Sequence, residues 1–214
     1  MNTVALFLES PILSSLPWAT HGFGTRHASP SPNTVSTVKQ IHSNVVFRAD
    51  KQGVLGEGDA LITNQPGLAV SIRTADCYPI LLADAENRAV AAIHAGWRGT
   101  AAQIVRKTLQ QMSAEFGTDP KDVSASIGPG IGACCFEVGD EVSRQFGVDG
   151  RTHLDLASEN RKQLEAAGVP SQNIEALSVC TFCDAERFFS YRREKEKAGR
   201  MTSFIRVDAE ITPR

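Results

Sequence analysis

This 214-residue chain has no run of about 18 apolar residues, so no segment of it reads as a membrane-spanning helix. It lacks an excess of charge: 22 Lys and Arg stand against 24 Asp and Glu, a formal net charge of −2. With a pI of about 6.2 it offers no basic field to nucleic acid or anionic lipid. Cysteine is sparse. The five present are an odd number, which argues against a disulfide framework and for a reducing compartment. Histidine is equally sparse at five residues, too few to serve several copper ions at once. No internal repeat and no long low-complexity tract is present. The opening MNTVALFLESPILSSLPWATHG lacks a basic start, and Glu9 interrupts its apolar part, so it does not read as a signal peptide. A cytoplasmic protein is expected. The sequence carries no sign of oligomeric state.

What is present suits a globular fold. Hydrophobic residues make up 42% of the chain, enough for a sizeable core, and the length suits one domain over residues 1–214. HASPSPNTVS, from His27 to Ser36, is linker-like. VSTVKQI and NVVFRAD are β-rich and meet in a hairpin or bend around His42–Ser43. GDALIT, GLAVSIRT and YPILLAD follow as strands. RAVAAIHA is apolar almost throughout, the pattern of a strand buried on both faces.

The period then changes. In GTAAQIVRKTLQQMSAEFG, Ile104, Val105, Leu109, Met112 and Phe116 share one helical stripe, with Thr100 placed to cap its start and Gly117 its end. DVSASIG is a strand. EVGDEVSRQFG and DLASENRKQLEAAG are helices, the second with Asp155 as N-cap and Gly168 just past its end. ALSVCT and TSFIRVD are further strands. The irregular mixture predicts an α+β (mixed α/β) fold with a central mixed β-sheet flanked by helices.

Three candidate metal ligands fall at or just past strand ends: His42, Cys77 and His94. Their spacing matches no short metal motif, and each alone is equally the mark of a buried thiol or a satisfied imidazole. As a set, one thiolate and two neutral imidazoles suit zinc with a fourth position open, the pattern of a catalytic ion that activates water. Asp76 adjoins Cys77, and Asp59 sits in the GEGDA turn. Either could orient a ligand or handle protons.

Cys180 and Cys183 form a C-x-x-C, but no second such pair completes a four-thiolate zinc site, so both are read as structural. Gly128, Gly130 and Gly132 alternate in IGPGIGACC, either as an anion-binding turn or as a tight loop lining a pocket with Cys134 and Cys135 packed beneath it. Arg98 follows His94 at a helix start and is a candidate for phosphate, against the plainer reading of a surface charge. Arg26, Arg192 and Arg193 are further candidates. Trp97 either packs or stacks on a base. Phe188 and Phe189 are expected in the core, with Ser190 or Tyr191 reaching the site.

HGFGTR, KQIHSNVV, GDALIT, TADCYPILLAD, AAIHAGWRGT, IGPGIGACCFEVGDEV and RFFSYRREKEKAGRM occur in that order. Together, from His21 to Ile205, they resemble the YfiH-type family of polyphenol oxidase, or laccase-domain, proteins. The resemblance implies that zinc, with copper as the alternative, is held by the His of Q-x-H, the Cys of A-D-C and the His of H-A-G-W-R-G, which are His42, Cys77 and His94. It implies phosphorolysis of purine nucleosides (adenosine, inosine, guanosine, methylthioadenosine) and deamination of adenosine. On that reading the catalytic set is Cys77, His42, His94, Asp59 and Arg98, and substrate or phosphate falls to Arg98, Arg26, Gly128 and Gly130.

The resemblance also implies a fold similar to toxin and deamidase-like cysteine hydrolases. That keeps open a metal-free amidase editing peptidoglycan precursors, with Cys77 as nucleophile and His94 or His42 as base. A copper polyphenol oxidoreductase and a non-catalytic binding module complete the alternatives. The partner is a small molecule, with no nucleic acid and no membrane. Two departures stand out. The segment from His27 to Val38 is shorter than in the family, and Gly130 stands where many relatives carry Cys.

Overall fold

The apolar runs build sheets, and the computed structural model describes residues 5–28 and 35–209. In chain order the strands are β1 (Phe7–Leu8), β2 (Ala19–Gly24), β3 (Val35–Lys39), β4 (Val46–Arg48), β5 (Gly53–Glu57), β6 (Ala60–Thr63), β7 (Ala69–Thr74), β8 (Tyr78–Asp84), β9 (Ala89–Ala95), β10 (Val123–Ile127), β11 (Glu137–Val138), β12 (Thr152–His153), β13 (Ile174–Ala176) and β14 (Met201–Val207). They form two six-stranded sheets, ordered β1-β2-β14-β7-β3-β5 and β13-β10-β8-β9-β6-β4, and a separate β11-β12 pair. Both large sheets mix parallel and antiparallel pairing. The fold is mixed α/β as expected, but two sheets replace the single central one.

Burial explains the arrangement. β14 alternates buried and half-buried positions, so one face of the first sheet points inward. β8 and β9 are buried at every position, because the second sheet lies between two layers. Leu61, Leu81 and Val90 pack against Val70, Ile72 and Ile205 of the first sheet. Their neighbours Ile62, Ile80 and Ile93 point the other way, onto Ile104, Val105, Leu109 and Leu164. The last four belong to helices α3 (Ile104–Phe116) and α5 (Leu156–Ala166), which follow the short α1 (Pro11–Ser14), α2 (Trp97–Ala101) and α4 (Asp140–Ser143) in a set completed by α6 (Tyr191–Glu194).

Several predicted boundaries move. The helix expected from Thr100 splits into α2 and α3 because Gln103 takes a left-handed φ of 60°. Thr100 is therefore interior and bonds Asn160 at 3.3 Å instead of capping. Gly117 does close α3 at a φ of 75°, and Asp155 does cap α5 by accepting from the Ser158 amide. EVGDEVSRQFG contains β11, the one-turn α4 and a 3-10 turn, not a full helix. ALSVCT gives only its first residue, Ala176, to β13; the rest is loop, with one isolated bridge between Gly130 and Cys180. Part of the linker-like stretch, 29–34, lies outside the described residues. Among the described residues no helix is long and apolar enough to cross a membrane.

The sheets decide where the candidate ligands meet. β3 and β4 are no hairpin: β3 pairs with β5 and β7 in the first sheet, β4 with β6 in the second. Residues 40–45 therefore cross between sheets, as do 58–59 and 75–77. The registers Val46↔Ala60, Ala60↔Ile93 and Tyr78↔Ala95 bring the starts of β4, β6 and β8 and the end of β9 to one edge. His42, Asp59, Cys77 and His94 sit along that seam.

Candidate metal centre

The His42 segment is held from both sides. The Gln40 side chain imitates a peptide unit, donating to the Arg73 carbonyl at 2.7 Å and accepting from its amide at 2.8 Å. The chain then turns sharply, with His42 at a φ of 61°. The amides of Ile41, His42 and Ser43 and the Ser43 hydroxyl all donate to the Asp59 carboxylate, at 3.2, 2.9, 2.6 and 2.7 Å. Asp59 is fully buried and also accepts from Nδ1 of His94 at 2.8 Å. One carboxylate thus fixes the loop that carries His42 and the ring of His94, leaving Nε2 of His94 to face the centre.

There, one nitrogen of each imidazole and the Cys77 sulfur lie within 4.8 Å of one another. The two rings are edge to face, centroids 4.9 Å apart. Gly96 makes the close approach possible, since a Cβ there would stand 2.9 Å from the Cys77 sulfur and 3.2 Å from the His42 ring. His94 is buried, Cys77 partly so, and His42 is exposed, so the group opens to solvent on one side. A tetrahedron about an ion bound at about 2.0–2.3 Å has edges of about 3.3–3.8 Å, which fall inside that 4.8 Å limit. The donor set fits a divalent ion with one position open.

The charges reinforce one another. Burial pushes the Cys77 thiol up, but the His94 imidazole beside it and hydrogen bonds from both histidines outweigh burial and bring it down to about 6. Burial pushes His94 down, yet the Cys77 thiolate and the Asp59 carboxylate raise it to about 9. Burial also pushes Asp59 up, and its bonds from His94 and Ser43 overcome this, holding it at about 2. Without an ion the group is an ion pair of thiolate and imidazolium anchored on a carboxylate.

The other predicted residues divide. Arg98 is exposed, with its guanidinium 4.2 Å over the Trp97 ring, and Trp97 packs against the core below. Arg26 donates to the Ala185 carbonyl and lies over Phe189. Arg192 holds the Glu137 carbonyl, and Arg193 those of Thr181, Phe182 and Phe188. These three guanidinium groups are engaged by the main chain. The amides of Gly128 and Gly130 donate to the carbonyls of Pro79 and Val179, so they form no anion cradle. Gly130 is required by the Tyr78 ring, which a Cβ there would meet at 2.6 Å. A cavity of about 230 Å³ beside this loop is lined by Tyr78, Cys134, Asp155 and Cys180, and by none of the three candidate ligands.

Sequence reasoning missed Gln40 and Ser43, whose partners are distant in the chain. It named Asp76 without its contacts. That residue has a φ of 82°, and its carboxylate accepts from Thr181 Oγ1, Ser190 Oγ and the Arg192 amide. Ser190 thus reaches the residue before Cys77, whereas Tyr191 bonds Glu196. Phe188 is buried as expected and Phe189 half-buried. Cys134 is exposed and Cys135 half-buried, so the pair is not packed beneath the glycine loop as expected; although no second C-x-x-C is present, their sulfurs lie within 4.8 Å of those of Cys180 and Cys183.

The model of the family described as multi-copper polyphenol oxidoreductase laccase matches residues 24–208. A Bacteroides thetaiotaomicron protein named purine nucleoside phosphorylase is 47% identical over 171 residues, 73% of this chain and 63% of its own length. A protein from an unknown prokaryotic organism named adenosine deaminase RL5 is 40% identical over 172 residues, 72% of this chain and 65% of its own length. The alignments thus span just under two thirds of either relative. The crystal structure of YlmD from Geobacillus stearothermophilus superposes with a TM-score of 0.87 at 25% identity, covering 95% of this chain and 99% of that one.

Proposed function

This chain belongs to the multi-copper polyphenol oxidoreductase laccase family, and from that premise we propose that it is a zinc-dependent purine nucleoside phosphorylase with adenosine deaminase activity. The observation that carries the reading is the convergence of His42, Cys77 and His94 around one open-sided centre, with Asp59 on the back of His94. Relatives named purine nucleoside phosphorylase and adenosine deaminase support the same reaction classes. The substrates are adenosine, inosine, guanosine and methylthioadenosine, with inorganic phosphate or water as second reactant.

When bound, a zinc ion there supplies Lewis acidity toward water or a substrate oxygen. The chain's own residues do the rest. Asp59 fixes the His94 tautomer so that Nε2 faces inward, as carboxylates do behind ligating imidazoles. Cys77, thiolate near neutral pH, neutralises part of the ion's charge. Arg98, unpaired by any carboxylate among the described residues and two positions beyond Gly96, is the cation placed to receive phosphate. A mononuclear zinc centre is favoured over a multicopper one because none of the remaining histidines joins the His42–Cys77–His94 group. His21 accepts from the Ser10 amide, the His27 ring meets the Glu186 carbonyl, and His153 lies in β12. We place the reaction in the cytoplasm, where all five thiols stay free.

One observation favours a second reading. Asp59, His94 and Cys77 are in line as orienting carboxylate, base and nucleophile, the arrangement of a metal-free cysteine hydrolase similar to the deamidase-like folds, acting on peptidoglycan precursors. The experiment is a pair of assays on zinc-replete and zinc-stripped protein. Inosine with phosphate is followed to hypoxanthine and adenosine alone to inosine, for wild type and Cys77→Ala. Turnover should need both zinc and Cys77. Turnover of either nucleoside by the zinc-free enzyme, or by Cys77→Ala, removes the zinc mechanism.

A further inference from the structure

Apart from the His42–Cys77–His94 centre, the second notable cluster is Cys134, Cys135, Cys180 and Cys183. Cys134 and Cys135 follow β10; Cys180 and Cys183 follow β13. The parallel pairing of those strands, Ala125↔Ile174 to Ile127↔Ala176, sends both loops out together. Beyond the strands the loops stay in register: the Gly130 amide donates to the Val179 carbonyl, and the Thr181 amide donates back to Gly130 at 2.9 Å. The Gly132 amide points at the Cys180 sulfur from 3.3 Å, the kind of donor that accompanies a ligating thiolate.

The separations choose between the roles four sulfurs can share. Cys135 and Cys183 are 3.4 Å apart, Cys134 and Cys183 3.7 Å, and all four lie within 4.8 Å. A disulfide needs about 2.05 Å between sulfurs, and all five cysteines are free. Four thiolates about a zinc ion at about 2.3 Å stand about 3.8 Å apart by tetrahedral geometry. A polynuclear iron–sulfur cluster spreads its thiolates wider. Packing gives no alternative reason for the cluster, because Cys134 and Cys183 are exposed and Cys135 and Cys180 only half-buried.

We propose that Cys134, Cys135, Cys180 and Cys183 bind a second, structural zinc ion through four thiolates. Binding forms four Zn–S bonds and releases to solvent whichever protons the sulfurs still carry. The four-thiolate set leaves no open position, so this ion stabilises the loops and does no chemistry. Its reach extends to the first centre. Thr181, inside the C-T-F-C turn, donates to Asp76 at 2.8 Å, and Asp76 immediately precedes Cys77.

The test is metal content of the full chain purified under reductant with zinc, by plasma mass spectrometry. Wild type should carry about two zinc ions per chain. Cys134→Ser/Cys183→Ser and His42→Ala should each carry about half of that, one having lost each site. Should the double variant fail to fold, cobalt-loaded wild type decides. Four thiolates give roughly four times the sulfur-to-cobalt charge-transfer intensity of the single thiolate in a His/Cys/His centre. A metal content near one ion that the serine substitutions leave unchanged, a single-thiolate cobalt spectrum, or a Cys135–Cys183 disulfide in freshly purified protein overturns the proposal. None of these readouts depends on nucleoside turnover, so failure of the proposed activity leaves the result interpretable.

Discussion

Replacing Asp59 by Asn removes one negative charge and turns one acceptor oxygen into a donor, at a residue with no exposure and five hydrogen-bond donors around it. Oδ2 receives Ile41, Ser43 N and Ser43 Oγ; Oδ1 receives His42 N and His94 Nδ1. If the new NH2 takes the Oδ2 place, two backbone donors are orphaned. If it takes the Oδ1 place, only the His42 amide is, provided His94 moves its proton from Nδ1 to Nε2. The second arrangement costs less and is the one expected. An orphaned buried donor costs about 1–3 kcal/mol, and the remaining bonds lose their charge assistance, so about 3 kcal/mol of stability should go. More telling is the ring: an ion at Nε2 needs the neutral imidazole to keep its proton on Nδ1, and there it would face the new NH2 instead of an accepting carboxylate. Zinc affinity should then fall about 10- to 100-fold. Urea unfolding of the metal-free proteins measures the first effect and competition against a chromophoric zinc chelator the second. Zinc affinity within about twofold of wild type would refute the assignment of Asp59 as the group that orients His94.

Gly96→Ala places a methyl 2.9 Å from the Cys77 sulfur at a residue whose φ of −79° any side chain accepts. Zinc affinity should fall about tenfold with little change in thermal midpoint, since the strain falls on the ligand and not on the backbone. Leu81→Ala, at a fully buried position between the sheets, should cost about 2–5 kcal/mol in urea unfolding with the metal site intact. His21 provides a pH signature. Burial lowers its pKa below 6.5, against the pull of Glu9 and Glu175, so between that lowered value and 6.5 the unfolded chain binds a proton the folded chain refuses. Stability should fall as pH drops through this window. His21→Gln, whose amide oxygen can still accept from Ser10, should show a shallower fall in urea midpoint between pH of about 7 and about 5, and an identical slope would refute the assignment.

Local chemistry carried the elements well. Within RAVAAIHA, Ala89–Ala95 is buried at every position as read, because its one polar side chain, His94, is bonded to Asp59, while the charged Arg88 stays exposed ahead of the strand. Asp155, Gly117 and Gly168 punctuate helices through their own side chain or its lack. The candidate ligands were recognisable because each sits where a strand stops. The rest depends on partners far along the chain. VSTVKQI and NVVFRAD look like a hairpin because hairpins are the local solution for two adjacent β-rich runs, yet each finds a parallel partner in a different sheet. Gln103 breaks the long helix without glycine or proline to announce it. The four-cysteine group is invisible to motif spacing because Cys134 and Cys135 are adjacent, and only the β10–β13 pairing brings them to Cys180 and Cys183.

Both clusters leave the same edge of the second sheet, and the reason lies in register. Ile127↔Ile80 and Ile127↔Ala176 put the ends of β10 and β13 beside the start of β8. Cys77 immediately precedes that start, so the loops bearing the four cysteines must pack against the residue that introduces it. That residue is Asp76, in a left-handed conformation that costs a non-glycine residue about 1–3 kcal/mol, with Asp among the types that tolerate it best. Its carbonyl accepts from Ile131 at 2.8 Å, and its carboxylate binds Thr181, Ser190 and the Arg192 amide, so three distant segments hold the turn. Relaxing Asp76 to an ordinary φ would rotate the following peptide and swing Cys77 away from the two imidazoles. The position of the thiol is therefore set less by its own strand than by the loops beyond β10 and β13, and anything that stiffens those loops sharpens the centre.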